Sequence, residues 1–507
     1  VTLFGFFLIG LYAGKAGIVK DKDVFLTSRG SQTWISLATN FFSCGLGIGL
    51  FYTLPPFGAL FGLVGVFAYT LSAVFPILVL IILGPWIREQ YPKGITLTQM
   101  VKQRYGWIPQ IMTNLVSLIY MSVFLITELS ALQTLLEFFG INALPAQIVI
   151  IIMTTIYTTI SGMKASILTD KFQGFFVFGL MILATIAFGV NIRITPEQIA
   201  GSPISTPTRA GWESFFTLTV ALLGANLFHQ GYWQRVYAAE SNRELTKACL
   251  GAAAMTFLLF FLAGFVGVAS RWGGYVDIEV DPTATMAFFN VLTTLPSWIN
   301  VLVIVMGGAF ICSSVDNLQN AITALIMEDL FQGKLHLHFA RVAAVIVNVV
   351  ALIIARQNLT SIFILFLIAD LVACFIALPL VFGFVQRNDA QKKVNGFDFT
   401  IGVISGFIGV ILFGATKDGT GFDIKSGIAI LALPNGLNKE VESAVVFLIA
   451  PAASFIMLFV SSFLRNAILK ALGKSYTVVN KPTLFNGPGT GEELPGNGNS
   501  TGSSLAK

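Results

Sequence analysis

The chain has 507 residues, 55% of them hydrophobic and only 11% charged, where a soluble domain carries about 25% charged residues. Its net charge of +5 is spread over loops rather than clustered, which leaves no footprint for nucleic acid. This balance excludes a soluble enzyme and leaves a polytopic helical bundle whose surroundings are membrane lipids.

Thirteen apolar spans are expected, near 1–17, 34–54, 58–86, 108–138, 145–163, 168–192, 213–234, 247–270, 296–330, 338–355, 359–386, 398–416 and 444–466. Several exceed the roughly 20 residues that cross a bilayer and must tilt, kink or project. Val1 opens inside an apolar run without a Met, so the expectation is a sequence trimmed at its start.

The second span carries Asn40-Phe41-Phe42-Ser43-Cys44-Gly45-Leu46-Gly47-Ile48-Gly49, followed by Pro55-Pro56. Three glycines at alternate positions oppose a straight helix. Small residues also serve close helix packing. The functional reading is an unwound segment whose free carbonyls and half-helix ends bind ion and solute at mid-membrane. Five spans later, Gly224-Ala225-Asn226-Leu227-Phe228-His229-Gln230-Gly231-Tyr232-Trp233-Gln234-Arg235 repeats the pattern. Two interrupted spans in corresponding positions of two five-span halves point to an inverted-repeat transporter.

In the ninth span, Gly308 to Asn317 sets Ser313, Ser314 and Asp316 in apolar surroundings. An Asp at mid-helix costs about 2.5–3.5 kcal/mol on insertion scales, so the group is expected on a solute or ion path. The two hydroxyls, with carbonyls from the second span, suit a hard cation, and Asp316 adds negative potential. Glu128 and Asp370 are further mid-span carboxyls, and with Asp316 they are expected in proton or charge coupling. His229 titrates near neutrality when unperturbed. The tail beyond about 475 is rich in Gly, Asn, Ser and Pro and is expected to be disordered. Four Cys in or beside spans imply no disulfide framework. No nucleophile–base set or metal-ligand spacing appears, so neither enzymatic activity nor a cofactor is expected.

Placing the N-terminus outside puts 23 of the 30 Lys and Arg on the cytoplasmic side, Arg235 among them, and 7 outside. An odd span count then leaves the C-terminus in the cytosol, and the plasma membrane is the expected location.

Four motifs resemble the sodium:solute symporter family. They are Asp23-Val24-Phe25-Leu26-Thr27-Ser28-Arg29-Gly30 before Trp34, Thr96-Leu97-Thr98-Gln99 through Arg104-Tyr105-Gly106, Ser161-Gly162 through Thr169-Asp170-Lys171-Phe172-Gln173, and Ser313-Ser314-Val315-Asp316-Asn317 through Glu328-Asp329. The resemblance implies an all-α membrane protein with the five-plus-five inverted-repeat core of the bacterial leucine transporter. It implies a first helix and entry loop over 1–33, a transport core over 34–386, extra helices over 387–470, and a cytoplasmic tail over 471–507. It also implies a cation between the second and ninth spans, held by the Ser313 and Ser314 hydroxyls with carbonyls at Ala38, Phe41 and Phe310.

Within the family, His229-Gln230-Gly231-Tyr232-Trp233-Gln234-Arg235 is most similar to urea/polyamine permeases. The solute is expected against Asn226, His229, Gln230, Trp233, Cys44 and Gly45, a set without fixed charge. That set suits a small neutral solute, and urea is the leading expectation, imported with Na⁺ or H⁺. The alternative is a polyamine or other cationic organic solute, for which Glu128, Asp316 and Asp370 supply carboxylates. A transporter-like nutrient sensor is the reading from another class.

Overall fold

The structure is a computed structural model that describes residues 2–13, 21–331, 337–357, 362–384, 394–417, 421–433 and 442–473. The helices in chain order are α1 Thr2–Ala13, α2 Lys22–Leu26, α3 Trp34–Cys44, α4 Leu50–Gln90, α5 Leu97–Tyr105, α6 Trp107–Phe138, α7 Ala143–Ser161, α8 Met163–Asn191, α9 Pro196–Ala200, α10 Arg209–Asn226, α11 Gln230–Ala238, α12 Asn242–Trp272, α13 Ala287–Leu292, α14 Ser297–Leu325, α15 Leu337–Ala355, α16 Ile362–Phe384, α17 Gly396–Thr416, α18 Ile424–Ala429 and α19 Glu442–Ala471. Among the described residues the β contact is a single bridge between Gln32 and Ala239, and nine helices are long and apolar enough to cross a membrane. Each of the thirteen expected spans coincides with one of these helices, or with a pair of them. The expected disordered tail lies almost wholly outside the described residues.

The physical reason is the bilayer: backbone polar groups without water must be satisfied within each segment. Where a helix ends, a local device takes over. Thr96 and Gln99 form a reciprocal capping box ahead of α5, and Asn395 and Asp398 do the same ahead of α17. Asp398 is also gripped by Arg465 of α19, at 2.8 Å.

One boundary differs from expectation. The second span does not end at Pro55-Pro56; its helix runs from Leu50 through both prolines and turns at Gly62, whose φ is 64°. Packing tolerates the prolines, as it can in membrane helices. At Gly267 of α12 an added Cβ would lie 1.7 Å from the Pro55 carbonyl oxygen, so the two backbones touch. We expect Gly267→Ala to lower stability by about 1–3 kcal/mol through overpacking, read as a lower unfolding midpoint in detergent.

Two spans are broken in the middle. Residues 45–49 separate α3 from α4, and residues 227–229 separate α10 from α11. Each break falls in the first span of a five-span unit, the first running from α3 to α8 and the second from α10 to α16. At one end of the bundle, Lys22 pairs with Glu328 at 2.5 Å and Glu328 accepts from Gln99 at 2.9 Å. Arg29 there donates to the Pro92 and Gly94 carbonyls, both at 2.8 Å. These contacts close that end.

Candidate functional site

The two breaks face each other at mid-bundle. In the first, the N–H groups of Ile48 and Gly49 have no helical acceptor and donate to the Glu128 carboxylate of α6, at 2.7 and 3.2 Å. Gly47 allows that approach: a Cβ there would lie 2.0 Å from Glu128 Oε1. In the second, Trp233 Nε1 donates to the Leu227 carbonyl at 2.7 Å, and His229 Nδ1 lies 3.7 Å from Cys44 Sγ. The breaks therefore meet through Cys44 and His229.

Between them lies a cavity lined by Gly45, Glu128, Asn226, His229 and Asp370 among apolar and aromatic groups. Rings of Tyr69, Tyr120, Phe124, Tyr232, Phe260 and Phe366 wall it. His229 sits edge-on to Tyr120 and Phe124, and its buried Nε2 has no partner. Glu128 is engaged by backbone donors, whereas no hydrogen bond to Asp370 appears among the described residues. The cavity thus offers one carboxyl group engaged by backbone donors and one open carboxyl group.

Several expected solute residues are elsewhere. Gln230 turns toward the closed end, donating to the Ile95 carbonyl at 2.7 Å and accepting from Leu97 N–H. Trp233 is wholly buried and committed to Leu227. Cys44 is buried behind the lining, against His229 and Gly231. The expected absence of charge-bearing groups is corrected: Glu128 and Asp370 both line the cavity, because α6 and α16 pack beside the breaks.

Ser314 Oγ lies 2.8 Å from the Leu46 carbonyl and 2.9 Å from the Phe310 carbonyl. The first-break carbonyl facing Ser314 is therefore that of Leu46. Ala38 is inside α3 and Phe41 in its last turn, so the Ala38 carbonyl is taken by the helix's own ladder. Ser313 instead donates to Asp170 Oδ1 at 2.7 Å.

Asp170 belongs to a buried network whose central cation, Arg235, sequence reasoning did not single out as a core group. Arg235 Nη2 donates to Asp170 Oδ2 at 2.6 Å and to the Asn317 side-chain oxygen. Its Nε donates to the Asn40 carbonyl at 3.0 Å, and Nη1 to the Gly231 carbonyl at 2.9 Å. Arg235 is 0% exposed, so counting it among cytoplasmic basic residues is corrected: it is a core cation. The signal was present in its position, one residue past a predicted span, beside a polar cluster. Asp316 lies outside the cavity, surrounded by hydroxyls of Tyr157, Ser166 and Thr169 at 2.6, 3.1 and 3.0 Å.

The profile of the sodium:solute symporter family matches residues 25–392. The spermidine transporter DUR31 of Candida albicans is 32% identical over 469 residues, covering 91% of this chain and 89% of that one. The sodium/myo-inositol cotransporter 2 of Bos taurus is 24% identical over 52% of this chain and 44% of its own length. Among solved structures, a Na⁺-coupled sialic acid symporter superposes with a TM-score of 0.68 at 17% identity, covering 91% of this chain and 96% of its own. Mhp1, a nucleobase-cation-symport-1 family transporter, gives 0.54 at 12% identity, covering 89% and 97%. These structural likenesses are of fold, and the fold is the inverted-repeat type of the leucine transporter.

Proposed function

The chain belongs to the sodium:solute symporter family, and from that premise we propose that it imports a polyamine-class organic cation together with a coupling cation. The observation that carries this reading is the cavity between the two breaks, where the open Asp370 carboxyl faces aromatic walls. Ammonium groups are held by carboxylates and by aromatic faces. Urea needs neither, and the spermidine-transporting relative favours the same alternative. The transport core is residues 34–386, with α1, α17 and α19 flanking it. In the proposed orientation the contacts around Lys22, Arg29 and Glu328 close the cytoplasmic side, with the C-terminus cytosolic in the plasma membrane. Na⁺ is proposed to sit at Ser313 and Ser314 with the Phe310 and Leu46 carbonyls.

The test is uptake of labelled spermidine and of labelled urea into proteoliposomes, with Na⁺ and H⁺ gradients imposed separately. Membrane potential is clamped at zero, because voltage alone concentrates a cation. Accumulation of spermidine above equilibrium and none of urea is the expected result; the reverse overturns the solute assignment. Asp370→Asn is expected to raise the KM for spermidine roughly ten- to hundredfold, the worth of a charged hydrogen bond. An unchanged KM would move the ammonium site elsewhere.

A further inference from the structure

We propose that a groove between the end of α1, the segment leading into α3 and the start of α8 binds the headgroup of an anionic glycerophospholipid. Tyr12, Ser31, Gln32, Ser36, Lys164 and Lys171 line it. Lys164 and Lys171 are seven residues apart on α8, so they share one face and their Cα atoms stand about 10 Å apart. Among the described residues the lining holds both cations and no carboxylate, and neither lysine has an acidic partner. Carboxylates on the adjoining elements are committed: Asp23 to Arg29 at 2.8 Å, Asp170 to Arg235 at 2.6 Å and Glu244 to Lys247 at 2.9 Å. The groove is therefore a cationic site without an internal counter-charge.

Its surroundings favour a lipid over a free anion. Trp34, Ile35, Phe172 and Phe175 beside it are exposed, which in a membrane-spanning chain means contact with acyl chains, and Trp marks the headgroup level. Ile167 and Leu168 carry that apolar surface into the groove between the two lysines. Cationic groups next to apolar surface match a phospholipid, whose phosphate and acyl chains lie side by side. A zwitterionic headgroup would bring its own ammonium against the lysines, and an anionic one does not. In the orientation proposed above, this end meets the cytoplasmic leaflet, where anionic lipids concentrate.

The groove also sits on a joint. The Ser31 and Gln32 N–H groups donate to the Ala238 carbonyl, both at 3.0 Å, so the segment leading into α3 is fastened to the end of α11 in the other five-span unit. A headgroup held by Lys164 and Lys171 ties α8 to that joint. It favours the conformation closed at this end to the extent that it binds that conformation more tightly.

The experiment is native mass spectrometry of the purified full chain, stripped of lipid and titrated with phosphatidylserine or phosphatidylcholine of identical acyl chains. Wild type is expected to bind one phosphatidylserine more tightly than phosphatidylcholine, about fivefold for each lysine and roughly 25-fold in all. Lys164→Gln with Lys171→Gln is expected to erase the preference, and Arg at both positions to keep it. Lys93→Gln with Lys102→Gln removes the same charge from the same end and is also expected to keep it. No preference in wild type, a preference that survives the Lys164 and Lys171 substitutions, or its equal loss in the Lys93 and Lys102 pair overturns the site. Displacement of the lipid by submillimolar inorganic phosphate would make the occupant a free anion and overturn the lipid assignment. Unfolding midpoints give a second reading: phosphatidylserine is expected to raise that of wild type and not that of the Lys164 and Lys171 variant. No solute is present in either measurement, so failure of the polyamine reading leaves both outcomes untouched.

Discussion

With potential clamped at zero and a tenfold inward Na⁺ gradient at equal pH, protein carrying Ser313→Ala and Ser314→Ala is expected to equilibrate spermidine at a ratio of about one. Wild type should reach about tenfold for each coupled Na⁺, since a tenfold gradient stores about 1.4 kcal/mol. The double substitution removes the hydroxyl between the Leu46 and Phe310 carbonyls and the hydroxyl on Asp170. The Ser314 oxygen joins the first break to α14 and the Ser313 oxygen joins α8 to it, so the variant loses both ligands and these two contacts. Differential affinity for two states is what couples ion to solute, and a site with two fewer oxygens loses it. Exchange of labelled for unlabelled spermidine should survive, which separates uncoupling from misfolding. Undiminished Na⁺-driven accumulation would place the ion elsewhere.

Arg235→Ala is expected to be the most damaging single change to stability, at about 3–5 kcal/mol, because it strands a buried carboxylate. The guanidinium uses Nε, Nη1 and Nη2 on four acceptors from α3, α8, α11 and α14. Lysine cannot reproduce that fork, so Arg235→Lys should recover little. Arg235→Met with Asp170→Leu should be milder than Arg235→Ala, because both charges leave together. Unfolding midpoints in a single detergent give the ranking. A single variant as stable as wild type would mean that Asp170 is neutral or hydrated.

The spans and their breaks were legible because they are local. An apolar run of about 20 residues reads as a crossing helix, and Gly45, Gly47 and Gly49 announce a break within a few residues of where it lies. Glu128 and Asp370 were visible as mid-span carboxyls. Their convergence on one cavity was not visible, since it depends on how α6 and α16 pack against segments far away in the chain. Gln230 and Trp233 were misplaced for the reverse reason. They adjoin the second break in sequence, but the turn of α11 aims them at Ile95 and Leu227. Arg235 failed the charge count because that rule reads proximity to a span end, not depth. Its partner Asp170 lay in a recognised motif, yet motif membership does not name a contact 65 residues on.

The Asp170–Arg235 pair also bears on how the protein is made. Asp170 lies in the first five-span unit and Arg235 in the second, so Asp170 has no partner when its own segment leaves the ribosome. Asp170 must enter the bilayer with its charge unpaired, which carries a free-energy cost, and the compensation arrives only when the halves dock. Synthesis therefore passes through a stage at which the N-terminal half is inserted but electrostatically unfinished. A chain stopped after α8 exposes Asp170 in that state, a marker by which membrane quality control can tell half a transporter from a whole one.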